Sequence, residues 1–155
     1  MTDWQDLLQQ IKLGKGEVYY AVSASRSQRE SLLAKVYARS TATTKVLAPT
    51  ERYVVQFFDK VLPAHGAQVG FFDLVNCTAL VTKEAGVILF EAVDAAEPAD
   101  VVALVETVLE TKAPLVVTAE KALPGQPMTE RQQAVIAALM RLRPRFFTSE
   151  GEIKK

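Results

Sequence analysis

The sequence predicts an α/β protein, a mostly parallel sheet held between helices in a three-layer sandwich. Two apolar runs without polar alternation, Val18 to Val22 and Gly86 to Phe90, mark strands buried on both faces. Segments with helical spacing lie between successive runs, the pattern of strand-helix-strand crossovers. Caps and breakers at Pro49, Thr129 and Pro144 fall where those segments begin or end.

Taken in order, Trp4, Leu7, Leu8 and Ile11 recur at helical spacing before Gly14 and Gly16, predicting an opening helix of about three turns ended by glycine. Glu17 to Val22 reads as the first strand. Ser25 to Arg39 places Leu32, Leu33, Val36 and Tyr37 on one face, a crossover helix with Ser25 or Ser27 as its N-cap. Thr44 to Ala48 is a second strand, and Pro49-Thr50 opens a helix through Tyr53, Val54, Phe57, Phe58 and Val61. Gln68 to Phe72 and Asn76 to Val81 are short and ambiguous, whereas Gly86 to Phe90 is the best candidate for a central strand. Ala99 to Thr111 is amphipathic with helical period, and Pro114 to Thr118 is the strand that follows. Thr129 with Gln132 forms a capping box for a final helix through Leu142, which Pro144 terminates. Residues 1–148 are expected to form a single domain and 149–155 a frayed tail.

The chain has 155 residues, 49% of them hydrophobic, enough to bury one core. Eighteen basic and eighteen acidic residues cancel, so no global field draws the protein to nucleic acid or anionic lipid. A lone Cys77 and a lone His65 supply neither a disulfide framework nor a cysteine- or histidine-rich metal site, and no metal or cofactor is expected. The N-terminal residues lack the pattern of a signal or transit peptide, and the apolar runs fall far short of the roughly 20 residues a membrane span needs. A cytoplasmic protein that does not enter a membrane is expected. No Gly-x-Ser-x-Gly elbow is present, which argues against an α/β hydrolase.

Four segments, in order, carry a resemblance: YYAVSASRSQRES, KVLAPTERYVVQFF, GVILFEAVDAAEP and PLVVTAE. They resemble the phosphate-loop strand, the "APT" strand end with its helix, the aspartate-glutamate strand end and the switch strand of a RecA-like NTPase lobe. The helicase module of the tRNA(Met) cytidine acetyltransferases is similar in particular. The resemblance spans roughly residues 5 to 125 and implies a RecA-like or Rossmann-like sheet with a phosphate loop at residues 23 to 31.

The departures bear on activity. Where the family pattern reads Gly-Lys-Ser, this chain has Arg29, Glu30 and Ser31. An acid at the lysine's place opposes the phosphate charge that must be neutralised, and without glycine the loop loses its access to left-handed conformations. The metal-organising aspartate falls on Phe90, while Glu91 keeps the place of the catalytic glutamate. The second lobe and the acetyltransferase portion are absent from this sequence. The resemblance thus implies a degenerate NTPase, more a pseudoenzyme than an enzyme, with no catalytic residue assigned.

Three groups of residues are site candidates. Ser23, Ser25, Arg26, Ser27, Arg29 and Ser31 gather hydroxyls and guanidiniums at a strand-to-helix turn, as an anion site would; the commoner role of such residues is an N-cap with solvated arginines. Glu91, Asp94, Glu97, Asp100 and Glu120 form an acidic rim at strand ends, where paired carboxylates bind a cation or exchange protons; acids in the first turn of a helix are the ordinary alternative. Arg141, Arg143, Arg145, Phe146 and Phe147, near the end of the final helix, suit a partner or stacked bases; arginines on a helix C-terminus with packed phenylalanines are the plainer reading. The leading expectation is a non-hydrolysing binding or regulatory module whose partner is a protein or a second copy of this chain; the alternatives are a small-ligand or phosphate-binding α/β protein, with or without enzymatic activity, and a weak single-stranded nucleic-acid accessory factor.

Overall fold

The computed structural model describes residues 4–39, 44–48, 68–71, 87–121, 126–148 and 151–153. Its elements are α1 (Gln5–Gln10), β1 (Val18–Val22), α2 (Arg26–Arg39), β2 (Thr44–Ala48), β3 (Gln68–Phe71), β4 (Val87–Phe90), a 3₁₀ turn (Val93–Ala95), α3 (Pro98–Thr111), β5 (Leu115–Ala119), α4 (Glu130–Met140), β6 (Arg145–Thr148) and β7 (Gly151–Glu152). The seven strands form one sheet in the order β3-β2-β4-β5-β1-β6-β7. Each of the pairings is parallel except β6 with β7.

Strand residues alternate between two cores because successive side chains leave a strand on opposite faces. On one face Tyr20, Ile88, Phe90, Leu115, Val117 and Phe146 pack with Val101, Leu104 and Val105 of α3 and Val135 and Leu139 of α4. On the other, Tyr19, Ala21, Leu89, Val116 and Phe147 pack with Trp4, Leu7 and Ile11 and with Leu32, Leu33 and Val36 of α2. This is the expected sandwich, with helices covering both faces of a mostly parallel sheet.

The helices start where the sequence provides caps. Ser25 Oγ accepts from the Gln28 N–H at 3.2 Å, so Ser25 and not Ser27 opens α2. The Thr129-Gln132 capping box of α4 is complete, with Thr129 Oγ1 accepting from Gln132 N and Gln132 Oε1 from Thr129 N, both at 3.1 Å. Pro98 occupies the first turn of α3.

Two expectations are corrected. The opening helix is shorter than three turns and does not run to glycine: it ends at Ile11, whose backbone is extended. Its terminal carbonyls are taken by Arg39, which donates to Leu8 O and, at 3.5 Å, to Ile11 O. Gly16, with φ +79°, then makes the turn into β1. At the other end, the final helix stops before Pro144 as expected, but the residues that follow are built into the sheet. Arg145–Thr148 is a strand alongside β1, and Gly151 and Glu152 pair with it inside the segment expected to fray. Glu152 N–H donates to Asp6 at 2.7 Å, tying that end of the chain to α1. The expected helix from Pro49 to Val61, the segment Asn76 to Val81, His65 and Cys77 lie outside the described residues. Among the described residues no helix is long and apolar enough to cross a membrane.

Candidate functional site

The C-terminal ends of β1, β5 and β4 lie side by side, which brings the loop after β1, Thr118 and Glu91 to one crevice. Open α/β sheets bind ligands at such a place. Here the crevice is filled by the protein's own charges. Arg29, from the first turns of α2, is 2% exposed, and its Nε lies 3.2 Å from Glu91 Oε1. Its Nη1 donates to Ser23 O at 2.8 Å. The Thr118 hydroxyl donates to the same carboxylate oxygen and accepts from the Ala92 N–H at 2.9 Å.

Glu91 is itself 2% exposed, and its second oxygen, Oε2, is buried with no hydrogen-bond partner among the described residues. Burial pushes the carboxyl above the ordinary carboxylate range, against the opposing pull of the Thr118 hydroxyl and the Arg29 guanidinium. Glu30 is also buried at 3% and accepts from Arg26 Nε at 3.3 Å. The acid at the lysine's place is therefore turned into the protein and paired along α2.

Three N–H groups of this turn are used internally. Ser23 N–H donates to Ala119 O at 3.0 Å, Ser25 N–H to Ser23 Oγ at 3.1 Å and Gln28 N–H to Ser25 Oγ. Trp4 Nε1 donates to Gln28 O at 2.9 Å and packs α1 against the same turn. Of the serine-arginine group the structure thus brings Ser23, Ser25 and Arg29 into one network, while Arg26 pairs with Glu30, Ser27 is exposed and Ser31 is half-buried.

The acidic rim is dispersed. Asp94 accepts from the Glu120 and Lys121 N–H groups at 3.0 Å, closing the loop after β5, and Glu97 pairs with Arg131 at 2.6 Å on the surface. Asp100 stands in the first turn of α3. No group of three or more metal-ligating side chains occurs among the described residues.

The arginine-phenylalanine group is divided between core and surface. Phe146 and Phe147 are buried on opposite faces of the sheet, the first 5.0 Å from the Tyr20 ring and the second 6.2 Å from Tyr19. Neither ring is open to a nucleobase. Arg145 pairs with Glu152 at 2.9 Å, and Arg141 and Arg143 are exposed in the turn after α4. The Arg29–Glu91 pair went unrecognised in the sequence because its members are 62 residues apart. The usable signal was the resemblance itself, which places both at one crevice with opposite charge.

No protein-family model matches the chain, and no curated protein matches it. Among solved structures it is similar to the helicase domain of Hef from Pyrococcus furiosus, at 15% identity and a TM-score of 0.56. That likeness covers 96% of this chain and 39% of the helicase chain, so this chain spans about two-fifths of its neighbour's length. It also matches translation initiation factor eIF-2B from Pyrococcus horikoshii OT3 at 16% identity, 81% and 49% coverage and a TM-score of 0.42. The helicase-domain likeness is one of fold, and the fold is the mostly parallel α/β sandwich of a RecA-like helicase domain.

Proposed function

We propose that this chain is a non-hydrolysing, degenerate RecA-like domain that serves as a binding module for another protein. One observation carries the reading: Arg29, Glu91 and Thr118 form a buried, closed network where an NTPase of this fold holds nucleotide phosphates. A triphosphate needs free backbone N–H donors and a lysine, and its magnesium needs an acid. Here the Ser23, Ser25 and Gln28 N–H groups bond to the chain itself, Glu30 stands at the lysine's place, and Phe90 is wholly buried in the core. The buried phenylalanines disfavour base stacking.

Titration of the full chain with Mg·ATP, ADP and inorganic phosphate tests this by calorimetry and thermal melting. Saturating ligand at one hundred times its dissociation constant would add about 2.7 kcal/mol to stability. The expected result is no heat of binding, no shift of the melting temperature and no magnesium-dependent phosphate release. A one-to-one ATP isotherm with turnover overturns the reading.

A further inference from the structure

We infer that a pair of adjoining clefts around Arg143 and Arg145 is the docking site for an acidic partner segment that carries an apolar side chain, an inference that rests on the protein-binding role proposed above. The clefts lie beyond the N-terminal ends of β1 and β6, at the opposite end of the sheet from the Arg29–Glu91 crevice. One, of about 320 Å³, is lined by Lys12, Glu17 and Tyr19; the other, of about 350 Å³, by Met140, Pro144 and Ile153, with Glu152 as its one acid. Both share Arg143 and Arg145, so a cationic ridge separates a polar compartment from an apolar one.

Arg143 is exposed at φ +52°, a left-handed conformation that suits glycine and is strained for a residue with a β-carbon. Its side chain makes no hydrogen bond or ion pair among the described residues. Among the described residues, this guanidinium thus has no paired acid and lines both clefts.

Arg145 is held differently. Glu152 accepts from its Nε and Nη2, both at 2.9 Å, and the Tyr19 and Phe147 rings lie 5.9 and 5.4 Å from its guanidinium carbon. This orients the planar group before a ligand arrives, the condition under which an arginine binds a carboxylate with least loss of freedom. Glu17, the acid in the polar cleft, accepts from the Tyr19 hydroxyl and stands near Lys12, which together hold its carboxyl below the usual range. Burial and that contact push the Tyr19 hydroxyl up to about 12, so it adds no negative charge.

Lys12, Arg143 and Arg145 outnumber Glu17 and the Glu152 that pairs with Arg145, and this surplus of one positive charge favours an anion. The apolar cleft beside them favours more than a free anion. Met140, 43% exposed, is at its wall, and an unbranched thioether adapts readily to an incoming side chain. A peptide with carboxylates next to a leucine or phenylalanine matches both compartments; a nucleic acid would find charge but no open ring.

Fluorescence anisotropy on the full chain tests this with labelled peptides of glutamate, serine and glycine, made with and without one leucine. A lysine-based peptide and a single-stranded oligothymidine serve as comparison probes. The acidic, leucine-bearing peptide is expected to bind at low salt and to weaken as salt rises. Arg143→Glu should reduce its affinity at least tenfold. Met140→Ser should weaken the leucine-bearing peptide alone, and Lys121→Glu, the same charge change at the far end of the sheet, should leave both unchanged. Absence of acidic-peptide binding, binding indifferent to Arg143→Glu, or preference for the oligonucleotide overturns the inference. Peptide binding that ignores Arg143 leaves the binding-module reading standing, whereas ATP turnover removes that reading whatever the peptides do.

Discussion

Replacing Arg29 by methionine isolates the charge at the crevice while keeping a long side chain in α2. Glu91 would then lose both the hydrogen bond at 3.2 Å and the opposing charge, with Oε2 already unpartnered among the described residues. A buried carboxylate so abandoned is expected to take up a proton instead of remaining charged. For a carboxyl of ordinary pKa 4.5, holding that proton at pH 7 costs about 3 kcal/mol relative to the unfolded chain, and at pH 5 about 1 kcal/mol. The folded pKa is raised, so the stability contribution is fully present below the ordinary value and is lost as pH rises through the folded one. Arg29→Met should therefore be less stable by about 3–4 kcal/mol at pH 7, in line with breaking one side of a buried ion pair, and the deficit should shrink by about 2 kcal/mol at pH 5. The double variant Arg29→Met/Glu91→Gln should recover most of the loss and its pH dependence, because no buried charge remains. Urea unfolding followed through Trp4 reads this directly: it is the chain's single tryptophan, 1% exposed and bonded to Gln28 O beside the altered residue. A deficit below about 1 kcal/mol, or one unchanged between pH 5 and pH 7, would refute the reasoning.

Two further outcomes test the framework around the sites. Phe147→Ala should cost about 3–5 kcal/mol by thermal or denaturant melting, since the ring is fully buried; a nearly unchanged melting temperature would put β6 outside the core. Thr129→Ala should cost about 1 kcal/mol, and Gln132→Ala in the same background should add little, because the two side chains act as one reciprocal cap; additive losses would contradict the capping box.

The alternation of β1, α2, β4, α3, β5 and α4 was legible because each buries a continuous apolar face, and their boundaries fall within a residue or two of the predicted ones. The ends of the chain were not. Leu7 and Ile11 supply the apolar spacing of a helix, but Arg39, far along the chain, takes the carbonyls that further turns would need. Arg145 to Thr148 is a four-residue run with no periodicity to distinguish it from the end of α4, and its place is set by pairing with β1, more than a hundred residues earlier. The serine cap of α2 could be read locally, whereas the Arg29–Glu91 pair depends on the lateral order of β4, β5 and β1. Sequence attention rested on Glu30, yet it is its neighbour Arg29 that enters the crevice.

Because β5 separates β1 from β4, the Arg29–Glu91 bridge spans the width of three strand ends and fastens α2 over them. A phosphate that performed such cross-linking would do so only in proportion to its occupancy. A guanidinium attached to the backbone has no such dilution: its local concentration is set by covalent geometry. The fastening strength of this crevice is thereby uncoupled from any solute level, and it responds to proton activity through Glu91 instead.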